Sequence, residues 1–294
     1  MSPELLSYLY ALGSNVSFAW ATVAYAHYGQ KLSPLWINCF KASLAFICFL
    51  VAYFTLASHA TITPHAFAYL FLSGLIALNL GDWLLMRAFT KLGASRALML
   101  FGFQPMIYAV TAYLLFGQIV APLKWFAILF LIASLVVVSF ENYKRTKTIP
   151  LRELGIGFAA ISLDACGVLL TRAGFELTSG LTALEANFYR TIGTIAGFVV
   201  ISFFLPIRLI EGLKTLRPPT QLLLTLAGIS GTFVSLCFYL EAIRIGKLAA
   251  ISAVAITGPL FAGMIECALQ RKWPSPYLIG SFLLFAAGFL ALIR

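Results

Sequence analysis

The sequence predicts an all-α membrane protein with ten transmembrane helices, arranged as two inverted five-helix repeats. Three observations support this fold class. The chain is 61% hydrophobic and only 10% charged, and its mean hydropathy of +0.96 is too high for a soluble domain. Apolar segments of about 20 residues, the length that crosses a bilayer, follow one another along the chain. One pair of these segments occurs twice.

Ten apolar segments are long enough to span a membrane, and each is bounded by proline, glycine or charge. Their residues do not alternate in polarity as the strands of a membrane barrel do, so each segment is expected to be a helix. The predicted spans are 5–28, 34–57, 66–89, 95–116, 122–142, 153–176, 183–205, 220–243, 248–269 and 274–293.

A segment similar to residues 72–108 begins at Leu226, and the two segments align without a gap. This comparison aligns Gly74 with Gly228 and Pro105 with Pro259. A slightly shorter offset aligns the N-terminal parts of the halves, through the pairs Glu4/Glu153, Asn15/Asp164, Thr22/Thr171, Asn38/Asn187 and Lys41/Arg190. Each half then holds five spans, and an odd number makes the second half enter the membrane from the opposite side.

We therefore predict a first five-helix repeat over residues 1–142, a basic linker over 143–152 and a second five-helix repeat over 153–294. Lys and Arg are concentrated in the loops after spans 1, 3, 5, 7 and 9. This bias predicts that these loops are cytoplasmic and that both termini face outward. Pro105 and Pro259 lie inside predicted spans, where proline kinks a helix, and are candidate hinges.

Composition and motifs argue against several other classes of function. The net charge of +10 comes mostly from short loops between spans, as the positive-inside rule describes, so no nucleic-acid partner is expected. The five cysteines form no C-x-x-C pair, and neither a disulfide framework nor a zinc site is predicted. The sequence contains no Walker motif, so direct use of ATP is not expected. We predict no catalytic residues, no metal and no cofactor.

Polar residues inside the predicted spans are the candidates for function, because each ionisable one costs at least about 2.5 kcal/mol to insert. Span 2 carries Asn38 and Lys41, and span 7 carries Asn187 and Arg190. In each pair the residues are three apart and share one helical face. The two matched patches can hold a carboxylate or phosphate between them. The alternative is that both cations snorkel or bond to local backbone carbonyls.

Asn15 and Asp164 form a second matched polar pair, near the middle of spans 1 and 6. A carboxylate at that depth can bind a cation, pair with Arg190 or carry a proton. Asp82 lies closer to a span end, and we interpret it as pairing with Arg87 or an interfacial group. Structural roles are likewise favoured for Glu185 and Glu241. The predicted substrate-binding residues are Asn15, Asn38, Lys41, Asp164, Asn187 and Arg190.

Several local motifs carry a family resemblance. They are Gly13-Ser14-Asn15, the two proline segments ending near Gly117 and Gln270, and the stretch GSFLLFAAG from Gly280 to Gly288. With these motifs the whole chain resembles the drug/metabolite transporter superfamily, in its ten-span form with two EamA-type domains. The chain departs from the family at Gln118, where the resemblance leads one to expect an acidic residue after the glycine that closes span 4, and the second copy has Gln270-Arg271. Relatives are thought to keep both termini in the cytoplasm, against the charge count.

The resemblance implies a secondary carrier that moves small metabolites, often amino acids or their derivatives, through a central cavity by alternating access. We expect the substrate to be an amino acid or related zwitterion. A proton is the candidate coupling ion. The expected partners are this small molecule and membrane lipids, the expected assembly is a monomer or weak homodimer, and the expected location is a bacterial inner membrane.

Two kinds of alternative remain open at this stage. A carrier of this kind can instead take organic cations or phosphorylated metabolites. A different class, an intramembrane enzyme acting on lipid head groups, requires a nucleophile or a metal site. The sequence contains no H-E-x-x-H motif, and its three histidines, His27, His59 and His65, lie at span ends or in loops.

Overall fold

The computed structural model describes residues 3–28, 32–104, 106–107, 150–245 and 257–293, with isolated positions between 126 and 144. These residues contain no strand, which confirms the predicted all-helical class for the described part of the chain. The helices are α1 Pro3–Tyr28, α2 Pro34–Leu56, α3 Pro64–Leu92, α4 Ala94–Phe103, α5 Leu151–Leu177, α6 Ala183–Ser202, α7 Leu209–Lys214, α8 Pro218–Ile245, α9 Thr257–Gln270 and α10 Pro276–Ile293.

Among the described residues, four helices, α2, α3, α5 and α8, are long and apolar enough to cross a membrane. They agree with predicted spans 2, 3, 6 and 8 to within three residues at each end. The short helix α7, in the segment between α6 and α8, was not predicted. Most of predicted span 5 and the end of predicted span 4 lie outside the described residues. The count of ten spans therefore stays a prediction.

Helix starts follow the usual capping chemistry. Ser33 and Thr63 accept hydrogen bonds from backbone N–H groups in the first turns of α2 and α3, and in both helices a proline follows the cap. Thr182 and Glu185 form a capping box at the start of α6. The Glu185 carboxylate also accepts from the Ala60 N–H at 2.9 Å. This side chain therefore joins the loop between α2 and α3 to α6.

Both α3 and α8 contain a π-helical segment. In α3 the segment is Gly74–Gly81, and in α8 it is Ile229–Val234. The ungapped comparison aligns 74–81 with 228–235, so the two segments occupy equivalent positions. In a π-helix the hydrogen bonds run from i to i+5, which widens the helix locally, and such segments are frequent at functional sites.

Helices of the two predicted halves interleave instead of packing as separate bodies. α1 packs along α8, and α5 packs along α3. α2 packs against α6, and α4 packs against α9. In the predicted repeat, α1 corresponds to α5 and α3 to α8, so the first two contacts are equivalent. The other two contacts each join a helix to its own counterpart.

Glycine allows α3 and α6 to approach closely. A Cβ atom added to Gly74 would lie 1.7 Å from the backbone oxygen of Arg190, and one added to Gly193 would lie 2.0 Å from the backbone oxygen of Phe71. Neither position has room for a side chain. Close approach at small residues is how helices associate in a membrane, where burial of apolar surface does not drive their contact.

We predict that Gly193→Ala destabilises the protein by about 1–3 kcal/mol, the usual range for overpacking. The obstacle is backbone, which cannot move aside as a flexible side chain does. Gly155→Ala is the matched control, because a Cβ added to this glycine of α5 meets nothing within 4 Å. Thermal unfolding in detergent measures both. Equal melting temperatures for the two variants would show that the α3–α6 contact is looser than described.

Candidate functional site

A cavity of about 130 Å³ lies among α1, α2, α3, α4, α5, α8 and α9. At the share of about 30 Å³ that one water takes in the liquid, this volume corresponds to about four water molecules. Its wall includes nine polar side chains, Ser14, Asn15, Lys41, Asp82, Gln104, Asp164, Thr232, Ser235 and Tyr239. The remaining described wall is apolar, and an apolar cavity with a few converging polar groups is typical of a small-molecule site.

Three of the predicted site residues, Asn15, Lys41 and Asp164, line this cavity. The Asn15 amide Nδ2 donates to Thr257 Oγ1 at 3.2 Å. The Asp164 carboxylate accepts a hydrogen bond from Gln104 Nε2 at 2.6 Å. Asp164 is therefore held by a neutral amide, and this carboxylate is available to a cationic group that enters the cavity.

Lys41 forms an ion pair with Asp82 at the cavity wall. Their side chains are 3% and 13% exposed, and each compensates for the desolvation of the other. Our interpretation that Asp82 pairs with Arg87 is wrong, because Arg87 instead donates to both oxygens of Glu153, at 3.2 Å each. Asp82 and Arg87 are five residues apart, which places them on different faces of α3.

Arg190 does not line the described cavity and lies 1% exposed beside it. Its Nε donates to Ser73 Oγ at 3.0 Å, and its Nη1 donates to Asn187 Oδ1 at 3.2 Å. Ser73 in turn shares a hydrogen bond with Thr171 of α5. The guanidinium therefore ties α6 to α3 and, through Ser73, to α5. These contacts do not pair Arg190 with Asp164, which was one of the roles considered for that carboxylate.

The matched asparagines also lie beside the cavity and contact its helices. Asn38 Nδ2 donates to the carbonyls of Leu78 and Asn79, at 3.1 and 2.9 Å, within the π-helical segment of α3. Asn187 Nδ2 donates to the carbonyl of Leu236 in α8, at 3.0 Å. Each amide therefore satisfies backbone carbonyls of a helix that forms the cavity wall. These contacts give both asparagines a positioning role.

Of the two candidate hinge prolines, only Pro259 lies among the described residues. Pro259 lines the cavity and lies in α9, and its carbonyl accepts from Ser95 Oγ at 3.3 Å. Pro105 lies outside the described residues. The hinge role of both prolines stays a prediction.

Among the described residues, no group of three or more His, Cys, Asp or Glu can hold a metal ion.

Equivalent positions of the two predicted halves line the cavity together. Five aligned pairs contribute both members to the wall, namely Asn15/Asp164, Leu78/Thr232, Asp82/Leu236, Leu85/Tyr239 and Gln104/Gly258. Sequence reasoning missed Asp82, Gln104, Thr232 and Tyr239 as site residues. The signal that identifies them is the repeat, because a polar side chain that replaces an apolar one at an aligned position marks an asymmetric site on a symmetric framework.

We expect Arg190→Ala to reduce stability by about 1–3 kcal/mol or more, because buried polar groups lose their hydrogen-bond partner. Ser73 and Asn187 lose their donor, and a void replaces the side chain. Arg244→Ala is the control, because Arg244 forms an ion pair with Glu241 while 41% exposed, and such pairs contribute little. The measurement is melting temperature in detergent alongside uptake in liposomes. Normal melting with lost uptake would instead assign Arg190 to substrate binding.

Comparison with known proteins agrees with this architecture. Residues 5–140 match the sequence profile of the EamA-like transporter family. A solved structure, described only as a crystal structure of a protein, superposes with a TM-score of 0.63 at 12% identity, covering 95% of this chain and 94% of the other. This likeness shows a shared fold alone. None of the curated proteins matches the sequence. The family match covers a little under half of the chain, and together with the long apolar helices among the described residues it indicates an integral membrane protein.

Proposed function

We propose that the protein is a secondary active transporter that moves a small polar metabolite through the central cavity by alternating access. The observation that carries this proposal is the cavity itself, which is lined by charged side chains between helices of both predicted halves. Charged groups are costly within a membrane and are retained there for function. The cavity volume of about 130 Å³ suits a small solute, since a cavity of about 150 Å³ can bind benzene.

The charges at the wall favour an amino acid or related zwitterion as the substrate. Lys41, Asp82 and Asp164 line the cavity, so its described ionisable groups carry one positive and two negative formal charges. The substrate ammonium group then pairs with Asp164, which has an amide and not a cation as its hydrogen-bond partner. The substrate carboxylate shares Lys41 with Asp82. Such charge-assisted bonds are stronger here than in water, because the local dielectric is lower.

An organic cation is the second candidate, because the same excess of negative charge attracts a ligand with a single positive charge. A phosphorylated metabolite is less favoured. It would add two negative charges to a wall that already has an excess carboxylate, and an unpaired charge in a low-dielectric site is costly. Comparing an amino acid with a simple amine as the transported solute separates the first two candidates.

Alternating access follows from the proposed inverted repeat. The equivalent contacts of α1 with α8 and of α5 with α3 support a pseudo-two-fold relation, and aligned residues on both sides of the cavity support it independently. Inverted repeats place their substrate site at the repeat interface near the membrane midplane. The matched π-helical segments lie at this wall and are further candidates for the bending positions.

Orientation and coupling complete the proposal. The excess of Lys and Arg in the loops after the odd-numbered spans places those loops in the cytoplasm and both termini outside, in a bacterial inner membrane. Asp164 is the candidate carrier of a coupling proton, because a buried carboxylate can alternate between binding a proton and binding a cationic substrate.

A direct test reconstitutes the protein in liposomes and follows labelled amino acids and amines across the membrane. A preceding thermal-shift screen identifies ligands, since a ligand at 100 times its dissociation constant stabilises by about 2.7 kcal/mol. Flux without chemical change of the solute supports a carrier. Conversion of a lipid head group without flux would favour the intramembrane enzyme.

We predict that Asp164→Asn weakens binding and uptake of an amino-bearing substrate about tenfold or more, as loss of a charge-assisted hydrogen bond typically does. The fold is retained, because asparagine has the same shape and still accepts from Gln104. Glu176→Gln is the control, on the same helix but 68% exposed and outside the cavity wall. Kinetics of uptake and melting temperature are measured for both variants. Unchanged uptake by Asp164→Asn would exclude this carboxylate from the site.

A further inference from the structure

Thr232 stands out among the polar residues of the cavity wall. It lies in the π-helical segment of α8 and is 6% exposed. Within the described part of the chain, its Oγ1 has no hydrogen-bond partner. A buried hydroxyl left unpaired costs about 1–3 kcal/mol. Such groups are rare in folded proteins, and each one requires an explanation.

Other threonines in the helices of this protein satisfy their hydroxyls locally. Thr22, Thr171, Thr194 and Thr225 each donate to the carbonyl four residues earlier, at distances of 2.6–3.0 Å. Thr232 lies in a segment where the backbone bonds run from i to i+5. The usual acceptor four residues earlier is therefore displaced. The π-helical segment of α8 leaves this hydroxyl at the cavity wall.

The residues that α8 contributes to the described cavity wall are all uncharged. Ser235 and Tyr239, on the same helix, also line the cavity. Ser235 Oγ lies 3.1 Å from Ser14 Oγ of α1, so these two hydroxyls already satisfy each other. The aligned positions of Thr232 and Tyr239 on α3 are Leu78 and Leu85, while the charged Asp82 aligns with Leu236. The helices α2, α3 and α5 therefore provide the charged side chains of the cavity, and α8 provides neutral hydroxyls.

We propose that the α8 wall is a neutral hydrogen-bonding subsite, in which Thr232 Oγ1 binds an uncharged polar group of the substrate, such as a hydroxyl or an amide. This inference rests on the proposed transport of a zwitterion and specifies it further. The ammonium and carboxylate groups occupy the side of Lys41, Asp82 and Asp164, and the substrate side chain faces α8. Thr232 is then a specificity-determining residue that distinguishes polar from apolar side chains.

L-Threonine and L-valine are suitable probes, because they have nearly the same shape and differ by one hydroxyl. Their dissociation constants are measured by thermal-shift titration of the full chain in detergent. We expect the wild-type protein to bind threonine about threefold to tenfold more tightly than valine, the usual effect of one hydrogen bond. In Thr232→Val the ratio of the two constants falls to about one. The melting temperature without ligand stays equal to that of the wild type or rises, because an unpaired hydroxyl has been removed.

Thr194→Val is the matched control. The Thr194 hydroxyl is buried but donates to Gly74 and Arg190 carbonyls, so its loss lowers the ligand-free melting temperature and leaves the threonine-to-valine ratio unchanged. The inference is overturned if the wild-type protein shows no preference for threonine, or if Thr232→Val retains that preference.

A third outcome separates this inference from the proposed function. If neither amino acid stabilises the wild-type protein, transport of a zwitterion is contradicted. The ligand-free melting temperatures then decide the role of Thr232 without any probe. If the melting temperature of Thr232→Val falls as much as that of Thr194→Val, the Thr232 hydroxyl has a structural partner and the subsite is overturned. An unchanged melting temperature supports a hydroxyl that has no partner within the protein and is available to a ligand.

Discussion

The architecture depends on one requirement, that polar groups buried in a hydrocarbon layer find partners within the protein. Arg190 meets it by donating to Ser73 of α3 and to Asn187 of its own helix. Asn187 then donates to a backbone carbonyl of α8. Asn38 of α2 makes the equivalent contact with α3. The helices that wall the cavity are therefore held in place by side chains that do not enter it.

Helix positions were predictable from sequence because runs of apolar residues are local features. The bounds of α2, α3, α5 and α8 agree with the predicted spans to within three residues at each end. The π-helical segments were not predictable, because their geometry depends on tertiary contacts. The Asn38 amide donates to the carbonyls of Leu78 and Asn79. This contact joins two separate helices, so the local sequence of α3 alone does not indicate it.

Candidate site residues were found by the cost of burying polar groups, and this criterion has a definite limit. It selected Asn15, Lys41 and Asp164, which line the cavity. It also selected Arg190, which does not line the described cavity. The criterion measures only the cost of burying a charge and does not distinguish a charge that faces a cavity from one that is hydrogen-bonded within the protein. The pairing of Asp82 with Lys41 joins two helices, and spacing along one helix gives no information about such a contact.

The difference in chemistry between the two cavity walls has a consequence for the carrier at rest. In an inverted repeat that alternates access, the two halves exchange conformations between the inward-open and outward-open states. Because α3 presents Leu78 and Asp82 where α8 presents Thr232 and Leu236, the two states expose different groups to water and differ in free energy. A difference of about 1.4 kcal/mol makes one state ten times more populated than the other. Under the proposed alternating access, the empty protein therefore has a preferred side to which it opens, set by side chains at the wall and independent of any solute gradient.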